Sequence, residues 1–442
     1  MRRLLIALMA VAAWLAASPG HAQDAVPPNI LLVIADDMGL DASPCYALGE
    51  EKPNMPVLES LCRQGLVFDN LWAEPICSPT RATILTGRYG FRTGVLYPAQ
   101  RSGGGIGTDE VSLQAFIDKH EPDRYAHAVI GKWHLSDEEN GLADNPGLMG
   151  VGFYSGFLWG QLESYYDFPL TTDGATSQVK GYATTVFTDI AIEWLAKQSG
   201  PWFLWLAYTA PHTPYHVPPA GLHDRKLVDD RKAIRADPLP YYLAALEALD
   251  HELGRLLDTL SPDVRANTVV IFVGDNGTPA EVAQLPYARD TVKGSLYPGG
   301  VRVPMIISGA GVTRKGEREA ALVNTTDLFA TIAELTGVKA KPPADSISFK
   351  ALLSAPSAGS RGFTYSDMQG NEPPPVYLNS GWTVGDGRHQ FMRKERGAPR
   401  LFLFDTKNDP GGAVNLLESG SPEADAVAAR LRAQIENLHG RR

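Results

Sequence analysis

Cys77 and Arg81 form the chemically most suggestive pair in the chain. They lie in the run Pro75-Ile76-Cys77-Ser78-Pro79-Thr80-Arg81-Ala82-Thr83-Ile84-Leu85-Thr86-Gly87, where a Ser-Pro pair follows the cysteine. Serine is a favoured N-cap and proline suits the first helical position, so a helix is predicted to begin here with Ser78 as its cap. Cys77 then sits at a helix N-terminus, where unpaired N–H groups and the helix dipole favour negative charge. Arg81, one turn along, falls on the same face. A small reactive side chain, a helix N-terminus and a guanidinium fork together suit a tetrahedral oxyanion.

Carboxylates supply a second set. Asp36-Asp37 follow the apolar run Asn29–Ala35 directly, and Asp275-Asn276 follow Thr268–Gly274. In open α/β sheets ligands gather beyond the carboxyl ends of strands. Adjacent carboxylates repel each other unless a cation or other partners offset the repulsion. Four oxygen ligands from two strand ends suit a hard divalent ion such as Ca²⁺ or Mg²⁺. Gly131-Lys132-Trp133-His134 places an ammonium and an imidazole two residues apart at the end of another apolar run, Tyr125–Ile130. Pro211-His212-Thr213-Pro214 follows Trp202–Tyr208, its prolines stiffening the backbone around His212. Lys293-Gly294-Ser295, with Gly299-Gly300 behind it, presents one lysine on a glycine-rich segment. His251-Glu252 lacks the second histidine of a zinc-protease motif, and Gly103-Gly104-Gly105 lacks the Gly-Lys-Ser/Thr of a phosphate loop. Spacing leaves open whether Arg88, Tyr89 and Arg92 line the site.

In this order the five motifs resemble those of the type I sulfatases of the alkaline phosphatase superfamily. The resemblance runs from Asn29 to about Pro304, with a weaker echo from Leu403 to Leu416. It implies that Cys77 is oxidised to formylglycine (3-oxoalanine) by a formylglycine-generating enzyme. It also implies that Asp36, Asp37, Asp275, Asn276 and residue 77 hold Ca²⁺, with Mg²⁺ or Mn²⁺ as alternatives. Arg81 and Lys132 would hold the hydrated aldehyde, and Lys132 and His134 would contact sulfate and hydrate. His212 and Lys293 would face the leaving-group oxygen. Two positions depart from the pattern: Thr80, where the family more often has serine, and Pro298, where many relatives have glutamate. The implied function is hydrolysis of a sulfate monoester, of a small molecule or a carbohydrate. A phosphonate or phosphate ester hydrolase with the same machinery is the nearer alternative, and a silent sulfate-ligand binding protein the remoter one.

The elements that must position these groups follow from patterning. The apolar runs named above, with Val303–Ser308, alternate with helix-like stretches near Met55–Arg63, Tyr182–Lys197, Tyr241–Leu260 and Thr326–Leu335. That alternation reads as an α/β domain, its central sheet largely parallel and flanked by helices; the resemblance makes it alkaline-phosphatase-like. After about residue 345 short alternating segments and a final helix near Ala424–Leu438 predict a small C-terminal α+β subdomain with an antiparallel sheet. Residues 27–345 are assigned to the catalytic domain and 346–442 to the subdomain. Tyr154–Ser177, rich in aromatic residues, and His216–Pro240 are read as loops walling the pocket.

Residues 1–22 read as a signal peptide: Arg2 and Arg3, an apolar run from Leu4 to Ala17, then small residues before Asp24. An uncleaved anchor is the alternative. The first reading places the protein in the periplasm or outside the cell, with no membrane insertion after cleavage. A formal net charge of −10 argues against a nucleic-acid partner, which needs a basic stripe. Of three cysteines, Cys45 and Cys62 remain once Cys77 is set aside, as a disulfide or as two buried thiols.

Overall fold

The computed structural model describes residues 27–356, 361–369, 380–395 and 398–440. The predicted signal peptide, residues 1–22, lies outside them. Among the described residues one large sheet contains β1 (Asn29–Ala35), β2 (Gly65–Trp72), β3 (Ala126–Lys132), β4 (Phe153–Phe157), β5 (Asp167–Thr172), β6 (Ala175–Lys180), β7 (Trp202–Ala207), β8 (Thr268–Gly274), β9 (Met305–Gly309) and β10 (Glu317–Asn324). Their order is β10-β2-β9-β8-β1-β7-β3-β4-β5-β6. From β8 through β4 every neighbouring pair is parallel. β9 runs antiparallel to both β8 and β2, and β5 and β6 close one edge as an antiparallel pair.

Alternation of side chains explains why the central strands read as unbroken apolar runs. In β1, Ile30, Leu32 and Ile34 enter one core while Leu31, Val33 and Ala35 enter the other. The helices Pro56–Gln64, Ala183–Leu195 and Leu239–Thr259 cover the second face through residues such as Leu58, Phe187 and Leu249. Cys77–Thr86 and Asp327–Leu335 cover the first through Ile84, Leu85, Phe329 and Ile332. The helix Cys77–Thr86 is thus buried along its whole length, Arg81 included.

A second sheet, in the order β11 (Thr364–Met368), β12 (Ser380–Gly385), β13 (His389–Glu395) and β14 (Arg400–Asp405), is antiparallel throughout. The helix Pro422–Gly440 packs Leu431, Ile435 and Leu438 onto it, and the same cluster takes in Tyr89. Tyr89 and Arg92 serve this part of the molecule, and Arg88 turns to the large domain. Arg92 pairs with Asp345, Arg88 with Glu110, and the Tyr89 ring meets Tyr365 edge-on at 5.0 Å. Cys45 and Cys62 form a disulfide. The stretch read as an aromatic loop over Tyr154–Ser177 holds β5 and parts of β4 and β6 instead. No helix among the described residues is long and apolar enough to cross a membrane.

Candidate active site

The parallel order β8-β1-β7-β3 decides where the chemistry collects. β1 pairs with β8 in a register that sets Ala35 opposite Gly274, so Asp36 and Asp275 leave the sheet side by side. On the other flank β7 leads to His212, and β3 ends at Lys132. All four segments emerge at the carboxyl edge of adjacent strands, the position where such sheets bind ligands. Asp37 and His134 adopt φ of +76° and +58°, a left-handed conformation uncommon for residues other than glycine and concentrated at functional sites.

The helix Cys77–Thr86 begins two residues earlier than its Ser-Pro pair suggested, with Ile76 at the cap position. Ser78 is no cap: its hydroxyl donates to His134 O at 2.8 Å and accepts from Ala99 N at 2.9 Å, tying the helix to two neighbouring segments. Thr80 fastens the same helix to the preceding loop, accepting from Glu74 N at 3.0 Å and donating to Glu74 O at 3.1 Å. Cys77 points into the carboxylates, its Sγ 3.2 Å from Asp36 Oδ1. Burial first, and then Asp36, raise the thiol well above its ordinary range. The expected pull of the helix dipole toward negative charge is therefore outweighed in the unmodified residue.

Cations interleave with the carboxylates. Arg81 donates to Asp275 Oδ2 at 2.8 Å and to Lys132 O at 2.6 Å, and lies 3.8 Å from Asp36 Oδ1. Lys132 Nζ donates to Asp36 Oδ2 at 2.6 Å with both side chains fully buried. Lys293 Nζ donates to Asp37 Oδ2 at 2.6 Å and keeps about a fifth of its side chain exposed, 21 %. Desolvation works against the Lys293 charge, yet Asp37 together with Cys77 and Asp36 outweighs it, and the ammonium is held above its usual range. Backbone bonds from Lys293 N to Thr278 O and from Gly294 N to Pro75 O seat this loop on the site. Pro298, the departure noted above, starts a short helix, Pro298–Val301, and leaves Lys293 in place.

Both histidines are neutral bases. His134 Nε2 lies 3.2 Å from Ala99 O, which assigns its proton to Nε2; Nδ1 is buried and makes no hydrogen bond among the described residues. Burial, then Lys132 and Arg81, depress this imidazole well below its ordinary value. His212 Nδ1 lies 2.9 Å from Thr213 O, so its Nε2 lone pair faces Asp37 Oδ2 at 3.6 Å. Burial lowers His212 to about 4, although Asp37 pulls the other way.

The donor set suits a hard cation. Ligand atoms of Asp36, Asp37, Cys77 and His212 all lie within 4.8 Å of one another. Asn276 donates through Nδ2 to Asp37 Oδ1 at 2.7 Å, while its Oδ1 is buried without a partner among the described residues. An orphaned carbonyl beside two carboxylates is what an oxygen-seeking divalent ion uses. Asp275 is engaged differently, its Oδ1 accepting from Asp37 N at 2.9 Å and its Oδ2 from Arg81. Each oxygen keeps a lone pair, and burial followed by Asp36 raises this carboxyl to about 6. All ten residues singled out from sequence thus converge. Tyr242, which donates to Asp37 O at 2.8 Å, was not foreseen.

Comparison with known proteins decides the family. Residues 28–338 match the family model described as Sulfatase. The chain belongs to the sulfatase family. Human N-acetylgalactosamine-6-sulfatase is 28% identical over 72% of this chain, which spans 63% of that relative. An arylsulfatase of Klebsiella aerogenes is 24% identical, with 75% of this chain and 91% of the relative covered. The crystal structure of Ps i-CgsB in complex with k-i-k-neocarrahexaose shares the fold, with a TM-score of 0.77, 23% identity, and 93% and 92% of the two chains covered.

Proposed function

We propose that this sulfatase-family protein hydrolyses a sulfate monoester, with residue 77, as formylglycine, supplying the nucleophile. The carrying observation is that Cys77 meets Asp36 inside a ring of alternating charge: Asp36, Asp37 and Asp275 against Arg81, Lys132 and Lys293. The described charges balance, so a divalent ion added at Asp36, Asp37, Asp275, Asn276 and residue 77 turns the site electropositive toward a sulfate. When bound, that ion supplies Lewis-acid charge at the sulfate and at the hydroxyl beside it, and the aldehyde supplies two hydroxyls in place of one thiol. Ca²⁺ fits the oxygen donors best, with Mg²⁺ or Mn²⁺ as alternatives.

The chain's own groups divide the remaining work. Arg81 and Lys132 fix residue 77 and the carboxylates around it, and their charge orients the sulfate oxygens. His134, neutral with a free Nδ1 lone pair, takes a proton from the hydroxyl of residue 77 that is not attached to sulfur, so that its C=O re-forms as the carbon–oxygen bond to the sulfated oxygen breaks and sulfate leaves. At the leaving oxygen, Lys293 holds protons on Nζ while His212 presents a lone pair at Nε2. Lys293 is therefore the group placed to give the proton, and His212 the one to receive a hydrogen bond from the alcohol O–H so formed. Burial of every group except the rim of Lys293 and His212 keeps bulk water from the reacting atoms.

The relative's name, N-acetylgalactosamine-6-sulfatase, and the neocarrahexaose bound to the neighbouring fold support a carbohydrate ester as substrate. Residues 27–345 are assigned to catalysis and 346–442 to a supporting subdomain. A signal peptide implies export to the periplasm or beyond, and conversion of Cys77 requires a formylglycine-generating enzyme during maturation. The test is a direct comparison of kcat/KM on sulfate, phosphate and phosphonate monoesters by protein matured with that enzyme. Preference for the sulfate ester is expected; preference for either phosphorus ester overturns the proposal.

A further inference from the structure

His212 sits in a turn whose carbonyls are fastened from outside. Tyr165, in the segment between β4 and β5, is buried, and its hydroxyl lies 2.7 Å from both Thr209 O and His212 O. A hydroxyl has one proton to give, so the two carbonyls share it and its loss frees both. His212 N closes the same turn onto Thr209 O at 2.9 Å. His216 stacks on the Tyr165 ring, with centroids 4.0 Å apart and planes at 27°. Its Nδ1 lies 2.9 Å from Pro214 O and its Nε2 3.2 Å from the Tyr182 hydroxyl, so Nδ1 carries the proton and Nε2 accepts. The carbonyls of His212 and Pro214 are thereby held, and Thr213 O lies on the peptide between them.

Thr213 O is the acceptor that keeps the His212 proton on Nδ1. Two other groups work against that tautomer. The Asp37 carboxylate, 3.6 Å from Nε2, attracts a proton there, and the Thr213 hydroxyl, 3.4 Å from Nδ1, can donate to a bare nitrogen in that place. Which imidazole nitrogen holds the proton is set by the hydrogen bond the other makes, so the direction of Thr213 O decides the contest. We propose that Tyr165, with His216 stacked on it, is a positioning residue that aims Thr213 O at His212 and so keeps Nε2 bare toward the leaving oxygen. This rests on the sulfatase reading above. A bare Nε2 accepts from the alcohol O–H formed when Lys293 gives its proton, and that help counts most when the leaving oxygen is strongly basic.

The experiment compares wild type, Tyr165→Phe, His216→Phe, His212→Ala and the Tyr165→Phe, His212→Ala double variant, all matured and loaded with Ca²⁺. Nitrogen-15 NMR of histidine-labelled protein reads the tautomer, and His212→Ala identifies the resonances. Wild type is expected to carry the His212 proton on Nδ1, and Tyr165→Phe to move it to Nε2 in part of the population. His216→Phe keeps a ring on Tyr165 but drops the bond to Pro214 O, and is expected to shift less. On phenyl sulfate Tyr165→Phe is expected to lose about three- to tenfold in kcat/KM, the worth of one neutral hydrogen bond. On 4-nitrophenyl sulfate, whose leaving oxygen is less basic, it stays within about twofold. The double variant is expected to be no slower than His212→Ala alone, because Tyr165 acts through His212. A wild-type proton on Nε2, a tautomer unmoved in both phenylalanine variants, equal losses on the two esters, or additive losses in the double variant would each overturn this inference and leave the sulfatase reading standing. Wild type inactive on every sulfate ester would refute that reading, while the nitrogen resonances would still decide whether Tyr165 sets the tautomer.

Discussion

Lys132 and Asp36 are paired at 2.6 Å with neither side chain exposed, so replacing the lysine with methionine leaves a carboxylate in the core. Methionine fills nearly the same volume, and loss of packing is a minor part of the effect. Breaking a buried pair by removing one partner is destabilising by about 3–5 kcal/mol, chiefly through the uncompensated charge. Arg81 lies 3.8 Å from Asp36 Oδ1 and takes over part of the pairing. The lower end therefore applies, about 3 kcal/mol or roughly a hundredfold in the folding equilibrium. Urea unfolding in the presence of a chelator measures this without a cation masking the charge. Adding Asp36→Asn to Lys132→Met removes the orphaned carboxylate and is expected to recover more than half of the loss. A Lys132→Met protein as stable as wild type, or a double variant no better than the single, would refute the electrostatic account of the site.

Lys293→Met removes a group that is partly exposed and bonded to Asp37 alone. It is expected to lower kcat/KM for sulfate esters by about a hundredfold or more, and, because Asp37 is buried and loses its cation, to lower the thermal midpoint as well. A different response is expected from the buried carboxyls that join the loop before Cys77 to β11. Glu74 accepts from Ser366 Oγ and Asp367 N at 2.7 and 2.8 Å. Burial, then Asp367, lifts Glu74 well above the usual carboxylate range, and burial pushes Asp367 up to about 7 from 3.8. A carboxyl with a raised folded value contributes stability that is fully present below its unfolded value and is lost as pH rises through the folded one. The wild-type midpoint should thus fall as pH rises through about 7, and Asp367→Asn should flatten that slope; an unchanged slope contradicts the assignment. Finally, the Cys45–Cys62 bond closes a loop of sequence separation 17. Its removal by a Cys45→Ser, Cys62→Ser double substitution is expected to cost about 3 kcal/mol in urea unfolding.

What could be read from the sequence follows the physics of each element. β1, β7 and β8 are buried on both faces and announce themselves as continuous apolar runs ending in a ligand-bearing loop. β2 was not foreseen because it begins at Gly65, immediately after the helix Pro56–Gln64, with no turn between them. β9 was found as a strand, but an apolar run carries no sign of its direction, and it proved antiparallel. β6, mostly exposed and polar in sequence (Ala175–Lys180), has the pattern of a loop and is held as a strand by pairing with β5. The site residues were legible because five segments combined residue type with strand-end placement. Their pairing was not: that Lys132 serves Asp36, Lys293 serves Asp37 and Arg81 serves Asp275 depends on strand order, which spans separations of 96 to 256 residues. Ser78 was misread as a cap because its hydroxyl finds tertiary partners in His134 and Ala99 rather than its own helix.

The whole mechanism turns on the chemical state of residue 77. Peptide mass spectrometry of the tryptic fragment Gln64–Arg81, from protein secreted by a host with formylglycine-generating machinery, reads that state directly. The expected result is a residue 77 that has lost its sulfur and gained an oxygen as the aldehyde, with sulfate-ester turnover rising in proportion to the converted fraction. A fragment carrying only the unmodified thiol, in protein that nevertheless hydrolyses sulfate esters at full rate, would contradict the account.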